Sequence, residues 1–87
     1  MGFRKHMTEA LDLPKEILLD LPLISCIGRE EASIENYKGI LEYGDEVLRV
    51  GTAAGIVRLS GKGLALRQMT ADCLVVTGQI EKLEFLR

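Results

Sequence analysis

From Gly39 onward the chain repeats one pattern: a short phrase in which apolar and polar positions alternate, then three or four residues drawn mostly from Gly, Asp, Thr, Ala and Lys. The phrases are ILEY (40–43), VLRV (47–50), GIVRLS (55–60), LALRQM (64–69), CLVVTGQI (73–80) and KLEFL (82–86), with GDE, GTAA, GKG and TAD as connections. Alternation with period two sends successive side chains to opposite faces, so each phrase reads as a half-buried strand and each short connection as a turn. The result is a meander of hairpins.

Upstream, LISCI (23–27) reads as a first strand and residues 32–37 as a second, joined by the polar GREE. Before Pro22 the period changes. Leu13, Ile17 and Leu21 recur at helical spacing and Pro14 suits a first turn, which predicts a short helix at about 14–20. Pro22 ends it, because proline cannot continue the hydrogen-bond ladder. Residues 1–7 lack periodicity and read as a flexible N-terminus, leaving 8–87 as a single domain.

One register satisfies the first three turns of the meander. It pairs Tyr43 with Leu48 and Leu41 with Val50, then Leu48 with Leu59 and Val50 with Val57. With Lys62–Gly63 as a two-residue hairpin loop, it also pairs Leu59 with Leu66. Leu41, Tyr43, Leu48, Val50, Val57, Leu59, Leu64 and Leu66 then share a buried face. The other face receives a cross-strand row Glu42–Arg49–Arg58–Arg67. In the last two phrases Leu74, Val76, Gly78 and Ile80 fall in one phase and Leu83 and Phe85 in the other, so a β-bulge near Glu81–Lys82 is needed to return both sets to the core. Such a corner suits a two-sheet sandwich or small barrel better than a flat sheet. The expected fold is mainly β: a small antiparallel β-sandwich or partly open barrel built from hairpins, with a short N-terminal helix.

Like charges directly opposite each other on a sheet are unfavourable by a few tenths to about 1 kcal/mol, so an arginine row calls for a reason. Solvation and nearby carboxylates supply one. Recognition of an anionic partner segment by the arginine forks supplies another. The same outer face carries Val47, Ile56, Ala65, Cys73 and Val75, which either the predicted helix or a partner protein must cover. The candidate partner-binding residues are therefore Arg49, Arg58, Arg67, Val47, Ile56 and Val75.

Composition narrows the function classes. The chain has 87 residues, 47% of them hydrophobic, which suits one domain with one core. Aromatic residues are confined to Phe3, Tyr37, Tyr43 and Phe85, so the core must be aliphatic. A net charge of −2 argues against general nucleic-acid binding, which needs a basic surface. There is no run of eighteen apolar residues to span a membrane. Cys26 and Cys73, without a secretory signal, read as reduced thiols of a cytoplasmic protein.

No chemical motif points to catalysis. GKG at 61–63 lacks the spacing and the following Ser or Thr of a phosphate-binding loop, and reads as a turn. The single histidine, His6, lies in the terminal segment, far from both cysteines in any predicted register, so neither a zinc site nor a cysteine nucleophile is expected. Asp12, Asp20, Asp45 and Asp72 occupy cap and turn positions. No enzyme activity, cofactor or metal is expected.

The order of phrases carries a resemblance. ALDLPKEILLDLPLISCIG, the series IEN–K–ILEY–D–LRV, the GIVRLSGKGL hairpin and the terminal GQIEKLEF resemble the YabP/YqfC family of sporulation proteins of endospore-forming Firmicutes, and within it the YqfC type, over roughly residues 8–86. The resemblance implies a small, mainly β, non-enzymatic protein required for spore formation and made in the mother cell, with no catalytic residues to carry over. It implies as first partner the larger membrane protein YqfD, encoded beside members of the YqfC type, and hence membrane association only through a partner. Self-assembly through unpaired sheet edges is the alternative, and a small ligand-binding domain a weaker one, since no set of convergent polar residues stands out.

Overall fold

The computed structural model describes residues 19–87. The predicted flexible terminus, and the predicted helix except for residues 19 and 20, lie outside them. Six strands follow: β1 (Leu23–Ile27), β2 (Glu31–Glu35), β3 (Tyr37–Tyr43), β4 (Val47–Thr52), β5 (Gly55–Met69) and β6 (Cys73–Leu86). All pair antiparallel in one sheet of order β1-β2-β6-β5-β4-β3. The mainly β, antiparallel fold expected from the alternation is the fold the chain adopts.

The two long strands form the spine. β4 pairs with residues 55–60 of β5, whereas β2 pairs with residues 73–77 of β6. The β1–β2 and β3–β4 hairpins therefore attach at opposite ends of the β5–β6 ribbon, and each end is a four-stranded half-sheet. Where the halves meet, each hairpin loop is tied to the ribbon by two backbone hydrogen bonds. Gly61 and Leu64 donate to the carbonyls of Glu46 and Asp45 at 3.0 and 2.9 Å, and Gly78 and Ile80 donate to those of Glu30 and Arg29 at 3.1 and 2.8 Å.

Glycine is required at this crossing. A Cβ on Gly61 would stand 2.0 Å from the Gln79 carbonyl oxygen, and one on Gly78, where φ is +140°, would stand 2.6 Å from that of Gly63. Both contacts are with backbone, which has no rotamer to yield. The bend they permit gathers both half-sheets around one core. Ala32, Ile34, Leu74 and Val76 from the first half cluster with Leu48, Val50, Val57 and Leu59 from the second, all eight fully buried, with Tyr37, Leu64 and Ile80 completing the set.

A single residue carries the chain from one half to the other. Asn36, between β2 and β3, has φ of +67°, a left-handed conformation that asparagine tolerates better than most residues. Its backbone N–H donates to Asp72 O at 2.7 Å, and its side-chain amide donates to Leu21 O at 2.9 Å. Next to it the Tyr37 hydroxyl donates to Thr70 O at 2.6 Å, tying the start of β3 to the β5–β6 turn.

Three sequence expectations are corrected. Lys62–Gly63 is no hairpin: β5 runs through it, so Leu59 meets Leu83 rather than Leu66, and Arg58 meets Glu84 rather than Arg67. The glycines around Lys62 bend the strand instead of reversing it, because the carbonyls of Asp45 and Glu46 satisfy the N–H groups there. Secondly, Ile40 and not Leu41 pairs with Val50. β3 has register shifts on both sides of the Gly39–Ile40 pair, and the second leaves Leu41 53% exposed, whereas Tyr43 pairs with Leu48 as expected yet is 51% exposed at the end of this edge strand. Thirdly, the second strand stops at Glu35, and Tyr37 opens β3. The predicted bulge near Glu81 is present: Ser60 pairs with Lys82 but Gly61 with Ile80, and both Ile80 and Leu83 pack on the core.

Candidate interaction surface

On the second half-sheet, period two places Val47, Arg49 and Gly51 of β4 opposite the core face. Their partners Ser60, Arg58 and Ile56 on β5, and then Lys82, Glu84 and Leu86 on β6, share that outer face. The middle row runs Glu42–Arg49–Arg58–Glu84. Two like charges sit at its centre with an acid at each end, and each arginine turns outward to its own acid. Arg49 Nε donates to Glu42 Oε1 at 2.9 Å, while Arg58 Nε and Nη2 donate to one oxygen of Glu84 at 2.9 and 2.5 Å. Lys82 Nζ lies 3.7 Å from the same oxygen.

Four of the six candidate residues, Val47, Arg49, Ile56 and Arg58, thus share the outer face of the second half-sheet. Arg67 and Val75 do not join them: both lie on the first half-sheet, next to the register shift between Leu66 and Gln68, and Arg67 Nε donates to Thr77 Oγ1 at 3.0 Å. Spacing alone missed Glu84 as the partner of Arg58, although the KLEFL phrase already carried it in the outward phase. It placed Ile56 on this face but missed its apolar neighbours in the row beside the ion pairs, where Leu41 Cδ1 lies 4.0 Å from the Cβ position of Gly51 and Leu86 pairs with Ile56.

The paired carboxyl responds to the arrangement. The Arg58 hydrogen bond holds the Glu84 carboxyl below its ordinary value, with partial burial opposing and the charges of Arg58 and Lys82 assisting. A carboxyl with a depressed folded-state pKa contributes stability that is fully present above its unfolded value of about 4.3 and is lost as pH falls through the folded value. Glu84→Gln is expected to lower the urea midpoint at about pH 7 and to lower it less at about pH 3, below the unfolded value, where the wild type has already begun to lose the stability its ionised carboxyl contributes. Equal losses at the two pH values would refute the pairing.

Elsewhere the chemistry is quiet. Burial first, and then the negative charges of Glu35 and Asp72, push the Cys73 thiol up, which makes it a poor nucleophile at neutral pH. Cys26 and Cys73 are not joined, and among the described residues no group of three His, Cys, Asp or Glu side chains could hold a metal ion. No helix among them is long and apolar enough to cross a membrane.

Comparison with known proteins gives a family and no fold precedent. The chain is 29% identical, over 91 aligned positions covering 99% of it and 98% of the relative, to a protein of Bacillus subtilis (strain 168) named "Uncharacterized protein YqfC". No solved structure matches. The profile of the YabP family matches residues 22–87, a span that takes in all six strands, and the chain belongs to that family.

Proposed function

We propose that this chain is a non-enzymatic sporulation protein that acts in the mother cell of an endospore-forming bacterium as a protein-interaction module. The observation that carries the reading is membership of the YabP family over the whole described sheet, taken with the resemblance of the chain's phrases to the sporulation proteins of that family. The near full-length similarity to YqfC supports it. A membrane protein encoded beside it, of the YqfD type, is the first partner to test, and it would bring the chain to the membrane without a span of its own.

The docking surface on this reading is the outer face of the second half-sheet, where Val47, Ile56, Leu86 and Leu41 present apolar atoms beside a row of internally paired charges. Balanced ion pairs next to apolar side chains suit a protein contact better than a bare anion, because an anion would have to displace Glu42 and Glu84 from their arginines.

The test is genetic and biochemical together. Deletion of the gene is expected to reduce heat-resistant spores by orders of magnitude, with rescue by the wild-type gene. Leu41→Glu combined with Ile56→Glu should leave the fold intact by circular dichroism yet fail to rescue and fail to recover the YqfD-type protein in a pull-down. Normal sporulation after deletion would overturn the role, and full rescue with unchanged recovery would overturn this surface.

A further inference from the structure

The sheet has four strand edges without a neighbour along their length among the described residues, and three of them are guarded. β3 carries Lys38 and Glu42 and two register shifts. The 64–69 part of β5 carries Arg67 beside a register shift. The 81–86 part of β6 carries Glu81, Lys82 and Glu84 and the bulge beside Ser60. Charges and bulges are the devices that stop an edge from pairing with another strand.

β1 has neither. Its five residues, Leu23, Ile24, Ser25, Cys26 and Ile27, include no charge, and its pairing with β2 is regular from end to end. All but Ile24 are exposed, including Leu23 at 38% and Ile27 at 67%, and Pro22 precedes the strand rather than interrupting it. An edge that is straight, uncharged and apolar is built to be covered.

We propose that β1 pairs antiparallel with β1 of a second copy of this chain, across a twofold axis at Ser25. The strand is self-complementary in that register alone: Leu23 falls opposite Ile27 of the other copy on one face, and Ile24 falls opposite Cys26 on the other. The small Ser25 meets its own equivalent on the axis. Each exposed aliphatic side chain thereby gains an aliphatic neighbour, no charge is brought against another, and the closed pairing consumes both edges so that assembly stops at two. The inference goes beyond the sporulation reading and does not depend on it.

The test uses the purified full chain in sedimentation equilibrium over a wide concentration range. The wild type is expected to form a species of twice the 9.6 kDa chain mass. Ser25→Glu and Ser25→Lys each place like charges face to face on the axis, at an exposed position that pairs with Ser33 in its own chain, so each variant should be monomeric with unchanged circular dichroism. Mixed in equal amounts, the two should recover the dimer. A wild type that stays monomeric at high concentration, variants that remain dimeric, or a mixture that fails to reassociate would each overturn the proposal. The deletion phenotype is read separately, so failure here leaves the sporulation reading intact and the reverse also holds.

Discussion

Alanine at Gly61 is expected to destabilise the protein by about 3 kcal/mol or more, a large share of the roughly 4 to 13 kcal/mol available to a domain of this size. The added methyl would stand 2.0 Å from the Gln79 carbonyl oxygen, 3.0 Å from the Gln79 carbonyl carbon and 3.2 Å from the Glu81 nitrogen, all of them backbone atoms of β6. Relief would require the two ribbon strands to separate, which strains the hydrogen bond from Gly61 N–H to Glu46 O and the packing of Ile80 beneath it. Gly39→Ala is the control. A Cβ there meets nothing within 4 Å, and the residue has no positive φ, so its effect should stay within about 0.5 kcal/mol. Urea denaturation of the two variants decides the matter: similar losses would mean that the ribbon does not cross tightly at Gly61.

The same crossing marks the limit of what the residues disclose on their own. Alternation fixed the faces of β4, β5 and β6 correctly, and the pairings Leu48–Leu59 and Val50–Val57 follow from it. Alternation also demanded the bulge at Glu81, because two apolar sets in opposite phases could not otherwise reach one core. What it could not decide was whether GKG reverses the strand or bends it. Both outcomes leave every side chain on the same face. The choice depends on which carbonyls meet the N–H groups of Gly61 and Leu64, and those lie some fifteen to twenty residues away in the turn after β3. That ambiguity carried the arginine row with it. With a reversal Arg58 would face Arg67, whereas the bend gives it Glu84 and sends Arg67 to the far half-sheet. The single-residue passage at Asn36 was equally hidden, since a positive φ leaves no periodic trace. Edge strands were legible as strands but not as edges, because a strand's neighbours are set by the whole topology.

The register of β3 yields the second large effect. Leu59 is fully buried in an inner strand of the second half-sheet, between Leu48 on β4 and Leu83 on β6, whereas Leu41 is pushed out by the shift that follows Ile40. Leu59→Ala removes three buried carbons from a strand laddered on both sides, to β4 and to β6, and leaves a space that cannot close without disturbing those ladders, so the expected loss is about 2 to 5 kcal/mol. Leu41→Ala removes the same atoms from a half-exposed position and should cost less than about 1 kcal/mol. Ile40→Ala falls between them, because Ile40 packs on the core from an edge strand that can adjust. The order Leu59, Ile40, Leu41 in urea midpoints is specific to the bulged register. An unbulged β3 would pair Leu41 with Val50, bury it and turn Ile40 outward, which reverses the last two. If Leu41→Ala proved as costly as Leu59→Ala, the apolar row on the outer face would lose its exposed member, and the docking surface proposed there would lose its edge.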